Sequence, residues 1–490
     1  MSALSGARCW GVAAWGFLGA LIATEAQAEP DLTWRGQVMA DVRVNTDDAL
    51  SLRRLETTAS GRVSGTLSKD IKIVIDARLV FNDFGEFDDF ESLSETDAVD
   101  PFEIQSDEMY IAFRDVALDG LDLRIGRQQV IWGAADRFHA VSHLNPLDLE
   151  DPLAFGAVLG NEMVSLAWRP EFAMGGDEDE GVEPWLDDVA IQLVWVPFFK
   201  PASVPRTASR AFTDPAIFRY RANTPLIKDL VNKRDVLERD NGWEFVYDPR
   251  VTRPERKLGN SMVGARISGR LLDVDLGFSW FYGFDDLPRA EKIVANTDMI
   301  PRVDVDLQLT FPRVHVLGVD AATSLEFLDG MGLWTELGVT IHDDLYRVVS
   351  TGPAIGVNAI EAEYPANAFV KAVVGIDYTP WHWLYLNVQY LHGFVDEFGS
   401  ESELDDYIVA GGDLKLDHDR VLLRFFNIVS ITDGSWVVFP KLVFRPWDSA
   451  DLAVGALVFS SAANGFSANK KFGSPVNGHS TIFFQATASL

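Results

Sequence analysis

The chain has 490 residues, 47% hydrophobic and 11% aromatic, which is too apolar for a disordered polymer. Its 42 basic and 73 acidic side chains give a net charge of −31, which repels phosphate backbones and argues against nucleic-acid binding. The single cysteine, Cys9, excludes disulfides within the chain and thiolate metal clusters, and after the first thirty residues no apolar run reaches the roughly 18–20 needed for a spanning helix.

Residues 1–28 read as a secretory signal. Arg8 supplies the basic start, Gly11 to Ala23 the apolar stretch, and Ala26-Gln27-Ala28 the small-x-small pattern before a cut near Ala28. Arg8 and Glu25 would leave together, so the chain 29–490 keeps its net charge and has no cysteine.

From Trp34 onward the dominant signal is a period of two. Trp34, Val38, Ala40, Val42 and Val44 oppose Arg35, Gln37, Met39, Asp41 and Arg43. Leu55, Ala59, Val63 and Leu67 oppose Arg54, Glu56, Ser60, Arg62 and Ser64; Ile71, Ile73, Ile75, Ala77, Leu79 and Phe81 oppose Lys72, Asp76, Arg78 and Asn82. Alternation of this kind marks a strand with one apolar and one polar face. The segments are also long: a strand in a soluble domain averages about 5–6 residues, whereas a tilted strand crossing a bilayer needs roughly 9–11.

The pattern predicts strands near 32–44, 52–67, 70–82, 104–115, 120–130, 161–169, 188–198, 260–271 and 273–284 in the first part of the chain. It predicts further strands near 310–326, 331–342, 367–379, 382–393, 404–416, 420–431, 435–446, 450–460 and 479–490. That makes an all-β transmembrane antiparallel barrel of about 18 strands, or 16 if 404–416 and the run 303–326, interrupted at Pro312, do not both insert. Short links such as Ser68-Lys69-Asp70, 115–120, 380–382 and 446–450 alternate with long polar segments at 83–103, 131–160, 199–259, 285–302, 343–366 and 461–478. Short periplasmic turns and long extracellular loops have this asymmetry. Aromatic groups near strand ends (Trp280, Phe281 and Tyr282; Trp381, Trp383 and Tyr385; Trp447) fit interfacial girdles.

Isolated charges are costly in hydrocarbon, so the polar face should line a lumen. In the first five strands it carries Arg35, Arg43, Arg54, Arg62, Lys72, Arg78, Arg114 and Arg124, interleaved with Asp41, Glu56, Asp76, Glu108 and Asp122. These charges either pair across strands or form an arginine track for anionic solutes. Later strands are less charged inside. The half-apolar face with Tyr385, Asn387, Gln389, Val437, Phe439 and Val443 suits either a lipid-like or aromatic solute or, the favoured reading, a place where a loop packs within the barrel.

The loops differ in charge. Residues 83–103 hold nine acids and no base, whereas 199–259 hold thirteen bases against eight acids, with a helix-like pattern at 224–239. A strandless stretch of that length could cap or plug a pore. The segment 131–160 combines Trp132, Asp136, Arg137, His139, His143, Asn145-Pro146, Asp148, Glu150 and Asp151. It joins two strong strands and suits folding inward as a constriction. His139 and His143 lie four apart without a helical pattern to bring them together, so no metal site is expected.

Gly126-Arg127-Gln128, Trp132-Gly133 and Asn145-Pro146 together resemble the porin-like outer-membrane family catalogued as domain of unknown function 1302. Val196-Pro197-Phe198-Phe199-Lys200-Pro201 with Pro205, Tyr282-Gly283-Phe284-Asp285-Asp286-Leu287-Pro288-Arg289, and Arg313-Val314-His315-Val316-Leu317-Gly318 extend the resemblance across roughly residues 120–330. The resemblance implies an outer-membrane barrel acting as a passive channel or as a conduit for hydrophobic compounds, without specifying a solute.

The expectation is therefore a porin-like channel in a Gram-negative outer membrane, in contact with lipid and lipopolysaccharide and without cofactor. The alternatives are a conduit for lipid-like compounds working with periplasmic or inner-membrane partners, and an outer-membrane hydrolase. His315, His342 and His392 are scattered among strands and belong to no Ser/His motif, which disfavours the hydrolase.

Overall fold

The computed structural model describes residues 31–46, 50–82, 100–176, 184–204, 233–234, 236–343, 348–351, 368–399, 404–460, 471–473 and 480–490. The signal segment with Cys9, most of the acidic run 83–103 and most of the helix-like pattern at 224–239 lie outside the described residues.

The first wall segments are β1 (Asp31–Asn45), β2 (Leu52–Ser68), β3 (Ile71–Asn82), β4 (Phe102–Gln105), β5 (Met109–Phe113), β6 (Leu121–Gln128), β7 (Asn161–Trp168) and β8 (Leu186–Val196). After β9 (Glu244–Val251) the wall resumes with β10 (Met262–Leu271) and β11 (Val274–Phe284). Next come β12 (Arg289–Met299) and β13 (Arg302–Thr310), then the wall strands β14 (Arg313–Leu325) and β15 (Met331–His342), then β16 (Val348–Thr351). The wall closes with β17 (Ala368–Trp381), β18 (Leu384–His392), β19 (Asp406–Leu416), β20 (Val421–Ser430), β21 (Trp436–Trp447), β22 (Ala450–Phe459) and β23 (Thr481–Ser489).

Both β4 and β5 pair with β3 and make one strand interrupted at 106–108, so the wall is a closed antiparallel barrel of 18 strands. Closure is between the ends of the chain, with Gln37 opposite Ser489 and Asn45 opposite Thr481. The 404–416 segment is a wall strand, as β19. The expected strand at 310–326 begins only at Arg313, because residues 302–310 belong elsewhere.

Closing the sheet satisfies every wall strand on both edges, which hydrocarbon requires. Alternation then sends apolar side chains outward: Val63, Ile75, Leu79, Phe278, Leu317 and Leu386 are exposed as a lipid-facing belt. Trp34, Trp381 and Trp447 ring the short-turn end, where Trp381 and Trp383 stack with centroids 5.0 Å apart. Trp280, Tyr282 and His315 stack near the opposite end. Phe281 and Tyr385, expected in the girdles, instead point inside, because they hold the other parity of their strands: Phe281 is buried and Tyr385 lines a lumen cavity. Among the described residues no helix is long and apolar enough to cross a membrane.

Turns at 69–70, 272–273, 382–383 and 448–449 lie at the same end as both strand termini of the barrel. Leu272 and Asp273 both take positive φ, the two-residue hairpin geometry that matches strand twist. The 169–185 connection also lies at this end and is longer than these turns, as the predicted strands 161–169 and 188–198 imply.

A second sheet stands at the long-loop end. Its order is β16-β12-β13-β9; β12 and β13 form an antiparallel hairpin and the outer strands pair parallel to it. Val303, Val305, Leu307 and Leu309 pack with Ala290, Ile293 and Ala295 under Trp243, Phe245 and Tyr247. This overturns the expectation of strandless segments at 199–259 and 285–302. A period of two reports that one face is buried but not which core buries it, so β13 is indistinguishable in sequence from a membrane strand.

Candidate constriction and lumen

The connection 129–160 leaves the wall at Gln128 and folds into the barrel. Its neck is tied by Asn145, whose Oδ1 accepts from the Val130 amide at 2.7 Å while Nδ2 donates to the Gln128 and Leu159 carbonyls. Pro146 leaves a carbonyl free to accept the Leu159 amide. The Asn-Pro pair therefore sets where the loop turns.

Beyond the neck, Trp132, Phe138, Val141 and Leu144 are buried inside the barrel. Trp132 Nε1 donates to Gln192 Oε1 of β8 at 2.9 Å. The wall opposite is carved for this segment. A Cβ on Gly264 would lie 2.6 Å from the Trp132 ring, one on Gly318 would lie 2.8 Å from Val141, and one on Gly338 would strike the Ala140 carbonyl. All three glycines sit at inward positions of β10, β14 and β15.

Glu336 of β15 holds the middle of the loop. It is fully buried and accepts from the Ala135 amide at 2.8 Å, the Ala140 amide at 2.7 Å and His139 Nδ1 at 2.9 Å. His143 instead stacks on Phe281, with Nε2 3.3 Å from the Ala140 carbonyl, and burial and then the nearby Lys371 charge lower its pKa. The two histidines thus face different partners. Leu147 N donates to Asp286 at the foot of the second sheet at 2.7 Å. Asp286 is pushed up to about 6 by burial and by the Asp285 charge beside it.

The far end of the loop reaches the opposite wall. Arg43 of β1 binds Asp151 through two 2.6 Å bonds and also holds Asp41. Burial pushes the Asp151 carboxyl up, but its bonds to Arg43 outweigh that and hold it below the usual range. Arg54 lies 3.5 Å from Glu56, Glu150 and Asp151. Arg137 places its guanidinium over Phe426 and donates to the Phe155 carbonyl, while Asp136 lies beside it.

The remaining lumen charges form a ladder toward the short-turn end. Arg62 pairs with Glu108 and lies near Asp76, and Arg78 binds Asp107 at 2.7 Å. Asp122 pairs with Arg169, Arg124 lies over Tyr110, and Arg114 is exposed at the turn. Arg35 lines a cavity at the mouth. Of the two expected roles, pairing across strands and an arginine track, the geometry favours the first, because the central guanidiniums lie against neighbouring carboxylates.

The long-loop half of the other arc is filled. Phe394, Phe398 and Phe472 enter from the loops and pack with Tyr407, Val409, Ile428, Val437 and Phe459 of the wall. Lys471 binds Asp396 at 2.7 Å and Glu397 at 3.1 Å.

Three cavities that stay open are contiguous. A cavity of about 860 Å³ lies between the tip of the loop (Asp148, Glu150, Asp151, Ala154) and the β1–β4 wall. It shares Asp151, Ala154 and Gln485 with a second, of about 380 Å³, walled by Tyr385, Phe426, Phe439 and Phe483. It shares Gln37, Ser60, Arg78 and Asp107 with a third of about 380 Å³ that opens at the short-turn mouth beside Arg35 and Leu490. The sequence reading missed Glu336, Asp107 and Gln485. Glu336 carried a signal, since it is a lone acid at an inward position of an otherwise apolar and glycine-rich strand.

The histidines weighed for hydrolysis do not converge: His315 sits in the outer aromatic stack, His342 against Phe398, and His392 on Asp406.

No family model matches the sequence, and no curated protein matches it. Solved structures do match in outline. OccAB3 of Acinetobacter baumannii is 8% identical with a TM-score of 0.47, covering 94% of this chain and 99% of its own. OccD3 of Pseudomonas aeruginosa is 8% identical with a TM-score of 0.46, covering 95% and 94%. OmpF of Salmonella typhi, in complex with daunomycin, is 9% identical with a TM-score of 0.37, covering 94% and 97%. None of these likenesses specifies a solute for this chain.

Proposed function

We propose that the protein is a passive channel of a Gram-negative outer membrane. The loop 129–160 sets its bore, and the charged wall of β1–β6 sets what passes. The observation that carries this reading is the loop lying across the lumen while a contiguous set of cavities remains along one arc. The short-turn end then faces the periplasm and the second sheet stands outside the cell, following the usual asymmetry of such barrels. Charged side chains outnumber apolar ones around the chamber of about 860 Å³, which favours polar solutes over lipid-like ones. Membership of the family catalogued as domain of unknown function 1302 is part of the proposal. Its resembling residues are those at the loop neck (Gln128, Asn145) and the Asp286 anchor.

The test is single-channel recording in planar bilayers with the full chain and with a variant in which residues 134–156 are replaced by a short Gly-Ser link. The full chain should give stable ohmic steps, and the variant should conduct several times more. A folded, heat-modifiable barrel that never conducts would overturn the channel, and equal conductance of the two would overturn the role of the loop.

A further inference from the structure

The chamber of about 860 Å³ beside the loop tip is not electrically balanced. Its three bases are all committed: Arg43 to Asp41 and Asp151, Arg54 to Glu56 and Glu150, and Arg78 to Asp107. Together the first two face four carboxylates, Asp41, Glu56, Glu150 and Asp151, so these pairs already leave negative charge. Glu103 and Asp148 also line the chamber and make no ion pair among the described residues. Arg53, the next base, lies behind the chamber lining and donates to Thr481. In the adjoining chamber, which shares Asp151 with the first, its own acids Asp136 and Asp413 stand against Arg137, Arg424 and Lys441, so no negative surplus arises there. The negative surplus is therefore confined to the passage beside the loop tip.

The acids there also interact with one another. Asp148 and Glu150 are held above the usual carboxylate range, by burial first and then by neighbouring acids, with Asp151 and Asp107 acting on Asp148 and Asp148 and Glu103 on Glu150.

An independent feature points to a hydrogen-bond donor. Asp41 lines the chamber and its side chain is 0% exposed. Its Oδ2 accepts from Arg43 and from Gln485 Nε2 at 3.1 Å, but its Oδ1 receives no hydrogen bond among the described residues. A buried carboxylate oxygen without a donor is costly, and a solute N–H that reached it would supply what the wall lacks.

We propose that this chamber selects small solutes bearing a primary ammonium or guanidinium group. The inference rests on the channel reading above and deepens it. Charge favours the cation over the anion, and a solute beside the loop tip lies within reach of the surplus, the Debye length being about 8 Å at physiological salt. The N–H groups then distinguish such solutes from cations that cannot donate.

The test uses the full chain in planar bilayers. Reversal potentials in a KCl gradient should show cation preference. In Glu103→Gln/Asp148→Asn, which removes the two unpaired acids without adding bulk, the preference should fall several-fold; heat-modifiable mobility confirms that the variant is folded. Bi-ionic potentials should then rank n-butylammonium above its isomer tetramethylammonium, which has the same charge and atoms but no N–H. A channel that conducts with anion preference, or whose preference the double variant leaves unchanged, would overturn the charge selection alone. Equal permeability of the two isomers would overturn the donor requirement. A barrel that never conducts would remove the channel reading itself.

Discussion

The two arcs of the barrel share one strand grammar and hold opposite interiors. Along β1–β6 the inward positions are Arg35, Arg43, Arg54, Glu56, Arg62, Asp76 and Arg78, and water-sized space remains beside them. Along the long-loop half of β10–β22 they are glycines, Val409, Ile428, Val437 and Phe459, packed as in a soluble domain. The difference lies in what approaches from within. Where loop backbone lies against the wall, side chains must shrink to glycine or become apolar, and any polar group left must be satisfied, as Glu336 is. Where only the tip of the loop approaches, long charged side chains fill the cross-section and pair with one another and with the tip's carboxylates. A barrel lumen is thus two environments, and the boundary between them runs along the inserted loop.

Removing the polar clamp of the packed arc should have the largest effect. Glu336→Ala leaves the amides of Ala135 and Ala140 buried without an acceptor, at about 1–3 kcal/mol for each. The loop should undock while the wall ladder persists. Single-channel recordings should show higher and noisier conductance, with heat-modifiable mobility retained; quiet wild-type steps in the variant would mean that packing alone holds the loop. A smaller change is expected from Phe394→Ala. It removes a ring that packs on Phe138, Tyr407 and Phe472, a truncation costing roughly 3–5 kcal/mol in a close-packed core. Limited proteolysis at the long-loop end should accelerate while reversal potentials stay put, because the charged arc is untouched.

Much of this division was legible in the sequence. The alternation located the wall strands and their inward faces, because a bilayer imposes one apolar side on every strand. The half-apolar inner face of β18 and β21 marked the arc where loops pack. The second sheet was not legible, since Val303, Val305, Leu307 and Leu309 alternate with Asp304 and Asp306 just as a membrane strand would. Nor was the Arg43–Asp151 bridge, whose partners lie 108 residues apart. Only the fold brings them together, and in doing so it turns a row of arginines that suggests anion passage into a neutralised ladder. The inward glycines 264, 318 and 338 were visible but ambiguous, because a glycine shows that something approaches closely without showing what.

The subtlest effect should come from the joint between the loop and the second sheet. Asp286 accepts the Leu147 amide while buried beside Asp285. Burial and that neighbouring charge raise it from 3.8 to about 6, so the folded arrangement binds its proton more tightly than the unfolded one. A raised carboxyl contributes stability in full below pH 3.8 and loses it as pH rises through about 6. Lowering the pH from 7.5 to 5 crosses the upper part of that window and should tighten the joint, so the loop should fluctuate less and the conductance should fall modestly. Asp286→Asn keeps an oxygen to accept from Leu147 and carries no charge at any pH. It should therefore show the quieter low-pH behaviour throughout and lose this component of the pH dependence. Conductance noise recorded at both pH values on both proteins checks it, and a variant with the same pH response as the wild type would place the titrating group elsewhere.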